Sequence, residues 1–220
     1  MAGSEEGLAE SAHGHEFAFI GGATCLDFVN TLAWATGDNP VDHLRSYRDL
    51  VDWACQAGLL AADARPRLAE RASAMPDLAD DMLARAITLR EAIRHITTAV
   101  IAHEAASESS LTVLNGELSA ALSRSVLDQA SPGVFGWSGN WCHDGGEIDL
   151  GYPLWPVARS AAEVLTSSRL DRVKICQGPR CGWMFVDESR NGSRRWCDSR
   201  DCGNRERVRR HYARRRTSRA

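Results

Sequence analysis

The sequence predicts a mainly α fold with small β-hairpins, in which a helical N-terminal domain precedes a small cysteine-rich unit. Three observations support this α+β prediction. Apolar residues recur at helical spacing over most of 17–170, a Gly- and Trp-rich stretch at 131–152 interrupts that pattern, and four of the seven cysteines lie between positions 176 and 202. With 220 residues, 44% of them hydrophobic, the chain is long enough for one sizeable core plus a small module, which we expect at 171–220.

The N-terminal end predicts a tail followed by a strand, a turn and a helix. Residues 1–16 are polar and acidic, which is typical of a mobile tail. In FAFIGGATCLDFVNTLAW (17–34) the apolar start indicates a short strand, and Gly21-Gly22 indicates the turn. Thr24 and Asp27 are spaced as a capping box for the helix that follows.

Further helices are predicted from caps and apolar periodicity. Ser46 and Asp49 form the capping box of the next helix, and Gly58 marks its end. We expect later helices at about 61–73, 76–103, 110–127 and 156–168. Between the last two, 131–152 predicts a β-hairpin with its turn at Gly145-Gly146.

The charge is divided sharply along the chain. The net charge is −3, yet 172–220 holds 15 basic and 5 acidic residues, a local charge of +10, which leaves −13 on the remaining residues. A basic end on an acidic protein predicts a polyanionic partner for that end alone. No apolar run is long enough for a membrane span, and the first residues do not resemble a secretory signal, so we expect a cytoplasmic protein without membrane contact.

The four clustered cysteines have the spacing of a metal site. They read Cys176-x4-Cys181-x15-Cys197-x4-Cys202, two close pairs that can converge on one tetrahedral Zn²⁺. A metal-free set of cysteines and a redox or iron–sulfur site are the alternatives, although a redox pair normally has two intervening residues. Since four thiolates leave no open position for water, we expect one structural Zn²⁺ rather than a catalytic one.

A hairpin between the cysteine pairs is predicted to bring them together. Residues 183–186 have the composition of a strand, Asn191-Gly192 is a turn signal, and a return strand would lead to Cys197.

After Cys202 the chain continues as GNRERVRRHYARRR, which predicts a basic helix. Val208 and Tyr212 are spaced i, i+4 and are expected to dock this helix on the hairpin. Arginine suits planar contact with phosphate and with guanine edges, whereas a solvated helix, or one docked on the acidic body, is the alternative. The candidate nucleic-acid contacts are Arg194, Arg195, Asn204, Arg205, Arg207, Arg209, Arg210 and Arg214.

Other polar residues are weaker candidates. Asp27 and Asn30 lie beside an apolar helix face and could line a pocket for a small-molecule effector, or could satisfy backbone groups instead. Cys142-His143-Asp144 is interpreted as the polar end of a hairpin. The sequence has no Ser–His–Asp order, HExxH, P-loop or paired-carboxylate motif, so we do not expect an enzyme.

Several of these motifs resemble a known family. CQGPRCGWMFVD (176–187), RNGSRRWC (190–197) and CGNR (202–205) closely resemble the CGNR-type zinc finger of bacterial proteins regarded as stress-induced transcriptional regulators. CLDFVNTL (25–32) and LWPVARSAAEVLTS (154–167) resemble the ABATE domain that precedes that finger. The resemblance implies zinc ligation by the four clustered cysteines, DNA contact by the finger, and a regulatory, ligand-sensing role for the body.

Together these observations favour a zinc-dependent regulator that binds double-stranded DNA, cytoplasmic and nucleoid-associated, whose N-terminal domain senses a ligand or forms a homodimer. An RNA-binding or ribosome-associated zinc protein is the alternative, because the same arginines suit A-form backbones. An enzyme with a purely structural zinc tail is a third hypothesis, which the missing catalytic motifs disfavour.

Overall fold

A computed structural model describes residues 15–61, 63–139 and 146–217. The mainly helical fold with small antiparallel sheets is confirmed. The helices are α1 (Thr24–Val29), α2 (Tyr47–Gln56), α3 (Ala64–Ala74), α4 (Pro76–Ile101), α5 (Glu108–Ser123), α6 (Trp155–Leu165) and α7 (Cys202–Thr217). Each sheet has two strands: β1 (Leu32–Ala33) with β2 (Val41–Asp42), β3 (Ser125–Ser131) with β4 (Val134–Gly139), and β5 (Val173–Ile175) with β6 (Met184–Val186). No described helix is long and apolar enough to cross a membrane.

The helices α1 to α6 enclose the main hydrophobic core. Trp53 of α2 and Phe28 of α1 are fully buried, with ring centroids 4.9 Å apart, and Leu89 of α4 belongs to the same core. Tyr47 is also buried, and its hydroxyl donates to the carbonyl of Leu150 at 2.7 Å. The apolar stripes predicted from the sequence therefore converge as expected for amphipathic helices.

The predicted caps have different outcomes. The Ser46–Asp49 capping box is present, and Gly58 follows α2 with a φ of +69°. The Thr24 cap is wrong, because Ala23 occupies the N-cap position and makes no side-chain cap. The Asp27 carboxylate instead accepts the Gly21 N–H at 2.7 Å, and the segment before it forms no strand.

The central hairpin lies earlier in the chain than predicted. Its turn is Pro132-Gly133, where Gly133 has a φ of +80°, and Leu127 pairs with Trp137 in the sheet instead of ending α5. The Pro132-Gly133 turn signal between SVLDQAS and VFGWSG was the available sign of this hairpin. Residues 140–145, which contain Cys142-His143-Asp144 and the first glycine of the predicted turn, lie outside the described residues.

Pairing within the cysteine-rich unit also differs from the prediction. β6 pairs with β5, the strand just before Cys176, so the expected return strand to Cys197 is wrong. The reason is Asp187, whose buried carboxylate accepts N–H groups from Ser189 and Arg194 and folds the following segment into a loop. The Asn191-Gly192 turn is present within this loop, with Gly192 at a φ of +58°.

The sheet β5–β6 lies directly against the helical body. The buried Asn30 side chain makes two hydrogen bonds to Met184, donating to its carbonyl at 2.9 Å and accepting its N–H at 2.8 Å. The Val186 N–H donates to the Gly21 carbonyl, and Val173 belongs to the main core. The side chain of Asn30 thus acts as a strand partner for β6 and ties the cysteine-rich unit to α1.

Replacing Asn30 by alanine is expected to loosen this joint. The change leaves a buried N–H and a buried C=O of Met184 without partners, at a cost of about 2–4 kcal/mol. We expect the melting temperature to fall by about 5–10 °C. Scanning calorimetry checks this, with Asn115→Ala on the exposed side of α5 as the matched control. Equal melting temperatures for the two variants would show that the amide does not join the two units.

Candidate zinc centre and nucleic-acid interface

The four clustered cysteines converge on one point. Their Sγ atoms all lie within 4.8 Å of one another, with Cys181 and Cys197 at 3.7 Å and Cys197 and Cys202 at 3.6 Å. Four sulfurs placed about 2.3 Å from a tetrahedral Zn²⁺ are about 3.8 Å apart, so the observed spacing fits the ion without rearrangement. All four side chains are buried, and Phe185 packs beside them.

The electrostatics of the cluster suit a bound cation. Hydrogen bonding with Cys176 and Cys181, together with burial, raises the pKa of the Cys197 thiol. Backbone N–H groups of Gly178 and Cys197 donate to the Cys176 sulfur at 3.3 Å, an arrangement that suits a thiolate. A Zn²⁺ ion would hold all four groups as thiolates. Because the four sulfurs complete its shell, the site is a single structural zinc site.

Two glycines allow the chain to approach the cluster closely. A Cβ on Gly178 would lie 2.9 Å from the Cys202 sulfur. Gly182 has a φ of +69°, and a Cβ there would lie 2.9 Å from the Thr36 methyl group. Glycine is therefore required on each side of Cys181. At Gly178 the reason is lack of space for a side chain, and at Gly182 it is both lack of space and the positive φ.

The loop between the cysteine pairs is organised by Asp187, a residue that the sequence analysis did not single out. Lys174 donates to its carboxylate at 2.6 Å, and the hydroxyl and N–H of Ser189 donate as well. Although burial opposes ionisation, the hydrogen bonds from Lys174 and Ser189 hold the pKa of Asp187 well below its usual range. An Asp-x-Ser pattern before Asn-Gly was the available signal for this turn.

Helix α7 begins at a zinc ligand. Cys202 is its first residue, and the Gly203 N–H donates to the Asp198 carbonyl, so the cysteine cluster lies at the start of the helix. From 207 to 215 every residue of the helix is exposed.

The contact face of α7 is not the predicted one. Val208 and Tyr212 do not dock on the finger: their exposed fractions are 46% and 62%. Glu206 is the buried residue instead, and it accepts hydrogen bonds from Arg209 and Arg210, which hold its pKa at about 2. A single acidic residue spaced i, i+3 and i, i+4 from arginines was the overlooked signal, since such pairs orient side chains along a helix.

Two of the candidate nucleic-acid residues are held by the fold. The Arg194 guanidinium lies 4.1 Å from the centre of the Phe185 ring and donates to carbonyl oxygens of Ile20, Trp196 and Cys197. Arg205 lies 4.6 Å from the centre of the Trp34 ring and forms an ion pair with Asp201 at 2.7 Å. Both guanidiniums are engaged by neighbouring groups of the protein, which makes them less available to a nucleic acid than the other candidates.

The other candidates are on the surface. Arg195 is exposed and donates to Gln177, and Asn204 is exposed in the first turn of α7. At about 100° per residue, Arg207, Arg210 and Arg214 lie within about 60° of one another on α7. All three are exposed, and they form a continuous row that we call the arginine stripe.

The candidate pocket residues border a cavity of about 220 Å³. Asp27 and Asn30 both line it, as do Cys181 and Cys202, so it lies between the body and the finger. The two bonds of Asn30 to Met184 give this residue a structural role, whereas Asp27 is hydrogen-bonded to the backbone at Gly21.

These features define a helical protein that carries a structural four-cysteine zinc finger ending in a basic helix. Residues 22–168 match the model of the ABATE family, described as putative stress-induced transcription regulator, and residues 172–215 match that of the CGNR zinc finger. The chain belongs to the ABATE family and carries a CGNR finger at its C-terminal end. No curated protein matches the chain.

Proposed function

We propose that this protein is a zinc-dependent regulator of transcription that binds double-stranded DNA through α7. The observation that carries the proposal is the position of Cys202, which is both a zinc ligand and the first residue of an arginine-rich helix. If zinc fixes the start of the helix, the run of arginines has a defined direction. Without the metal, repulsion between these like charges would oppose helix formation.

The charge distribution supports DNA as the partner. The +10 charge of 172–220 is concentrated in the finger, whereas the −13 of the remaining residues would repel a polyanion. DNA would therefore approach the finger with the acidic body directed away. Contacts with phosphate would provide most of the affinity, and few residues are placed to distinguish bases.

We assign phosphate contact to the arginine stripe, to Arg209 and to Arg195. Arg209 and Arg210 both donate to the Glu206 carboxylate, which holds the two guanidiniums at the surface of α7. Asn204, exposed in the first turn, is the candidate for reading a base edge.

We propose a regulatory role for residues 17–170 and a binding role for 171–220. The regulatory unit would sense a small molecule or form a homodimer, and a dimer would raise the affinity of a single short helix by avidity. A protein of this kind would be bacterial, cytoplasmic and associated with the nucleoid.

RNA is the second candidate partner. Tyr212 is 62% exposed beside the arginines, and an exposed aromatic ring suits stacking on an unpaired base. Competition between a DNA duplex and a structured RNA at one salt concentration separates the two partners.

The salt dependence of binding tests the proposed contacts. Five arginines on phosphates predict that log K falls with log salt at a slope of about −4 to −5. Fluorescence anisotropy of a labelled duplex, titrated with the zinc-loaded full chain at a series of salt concentrations, measures this slope. A slope near zero would rule out phosphate contact by α7, and tighter binding to the RNA competitor would favour the second candidate.

A further inference from the structure

The cavity between the body and the finger is lined by anionic groups. Asp27 lies on its wall, and within the described part of the chain no Lys, Arg or His forms an ion pair with its carboxylate. Burial raises the pKa of Asp27 to about 6, so this group is mostly ionised at neutral pH. Cys181, Cys197 and Cys202 also line the cavity, and a zinc ion with four thiolates carries a net charge of −2.

Two histidines, His15 and His43, also line the cavity. The rings of His15 and His43 stack at 3.9 Å, and burial, followed by the neighbouring His15, lowers the pKa of His43. A neutral imidazole at position 43 leaves the negative potential of Asp27 in place.

The rest of the wall is aromatic. Phe17, Trp34 and Trp183 line the cavity, and the Trp183 indole N–H donates to the Leu32 carbonyl at 3.2 Å, which fixes that ring. Trp34 has a φ of +54°, a conformation unfavourable for a bulky residue, and such strain is concentrated at functional sites.

We propose that this cavity binds a small organic cation, an amine of about ten non-hydrogen atoms or fewer. An ionised carboxylate that forms no ion pair with a described residue, together with aromatic rings, is an arrangement that recognises ammonium groups. The volume of about 220 Å³ corresponds to roughly seven water molecules, which limits the size of the ligand. The proposal deepens the sensing role assigned above to residues 17–170, and it does not depend on what α7 binds.

A ligand at this position would contact both units. Asp27 belongs to the body, whereas Cys181 and Trp183 belong to the finger. The guanidinium of Arg205, a residue in the first turn of α7, also makes a cation–π contact with the Trp34 ring. The cavity therefore adjoins the contacts that orient the basic helix.

The test uses the zinc-loaded full chain and three probes of one shape: benzylamine, benzyl alcohol and benzoate. Nuclear magnetic resonance of the indole N–H groups, assigned with Trp34→Phe and Trp183→Phe, reports binding. We expect benzylamine to shift both signals with a Kd of about 1 mM, and the other two probes to bind at least about tenfold more weakly.

The control variants separate the carboxylate from general charge. Asp27→Asn, which keeps an acceptor for the Gly21 N–H, is expected to weaken benzylamine binding by about tenfold or more. Asp38→Asn removes an exposed carboxylate and is expected to leave binding unchanged. The proposal would be overturned if benzylamine and benzyl alcohol bound equally, or if Asp27→Asn left the Kd for benzylamine unchanged. The absence of any shift in the indole signals at about 20 mM benzylamine would overturn it as well. If Asp27→Asn fails to fold, the comparison of amine with alcohol on the unaltered chain decides. A chain that binds benzylamine but no DNA would refute the proposed function alone.

Discussion

Replacing Cys202 by serine is expected to remove zinc and to unfold the finger while the helical body stays folded. The site loses one of its four thiolates, and structural Zn²⁺ contributes on the order of 10 kcal/mol to the folding of small metal-bound units. The zinc content should fall from one ion per chain to nearly none. Backbone amides of α7 should then exchange with solvent almost without protection, whereas those of α4 keep theirs.

Elemental analysis and hydrogen exchange measure both parts of this expectation. Cys55→Ser is the matched control, because Cys55 is half-buried on α2 and lies outside the cluster. That variant should retain one zinc and full protection of α7. Retention of zinc, or of protected α7 amides, by Cys202→Ser would contradict the assignment of this residue as a ligand that holds the helix.

The arginine stripe is expected to provide most of the affinity for DNA. Changing Arg207, Arg210 and Arg214 together to glutamine removes three proposed phosphate contacts, while Arg209 keeps its two hydrogen bonds to the buried Glu206. At about 0.1 M salt we expect the affinity to fall by about 100-fold or more, and the slope of log K against log salt to approach −2.

A triple variant of the body separates this effect from net charge. Arg45, Arg48 and Arg67 lie on or near α2 and α3, and their change to glutamine alters the total charge equally. We expect this control to keep both the affinity and the salt slope to within about twofold. Equal losses in the two triple variants would mean that overall charge, rather than α7, governs binding.

The zinc centre was the most predictable part of the fold, because its ligands are specified by residue type and spacing. Tetrahedral thiolate coordination limits the possible pairs, so Cys176 and Cys202 could be brought together before any contact was known. The capping box of Ser46 and Asp49 was predictable for the same reason, since both partners lie within one turn.

Features that depend on distant parts of the chain were not predictable from local pattern. Asn30 bonds to Met184 across 154 residues, and β6 pairs with β5 because Asp187 draws the following segment away. The i, i+4 spacing of Val208 and Tyr212 predicted that these two residues pack against the finger. The packing of the zinc loop instead admits Glu206, a charged residue whose burial is possible only because Arg209 and Arg210 bind it.

We propose that zinc holds α7 in a form that binds DNA. One titration tests whether DNA binding depends on the metal. The full chain is titrated into a labelled duplex at about 0.1 M salt in three states: zinc-loaded, after chelation, and after zinc is restored. We expect binding in the first state, a loss of about 100-fold or more in the second, and recovery with Zn²⁺ but not with Mg²⁺ in the third. Equal affinity with and without zinc, or no binding to the duplex by the zinc-loaded chain even at low salt, would contradict it.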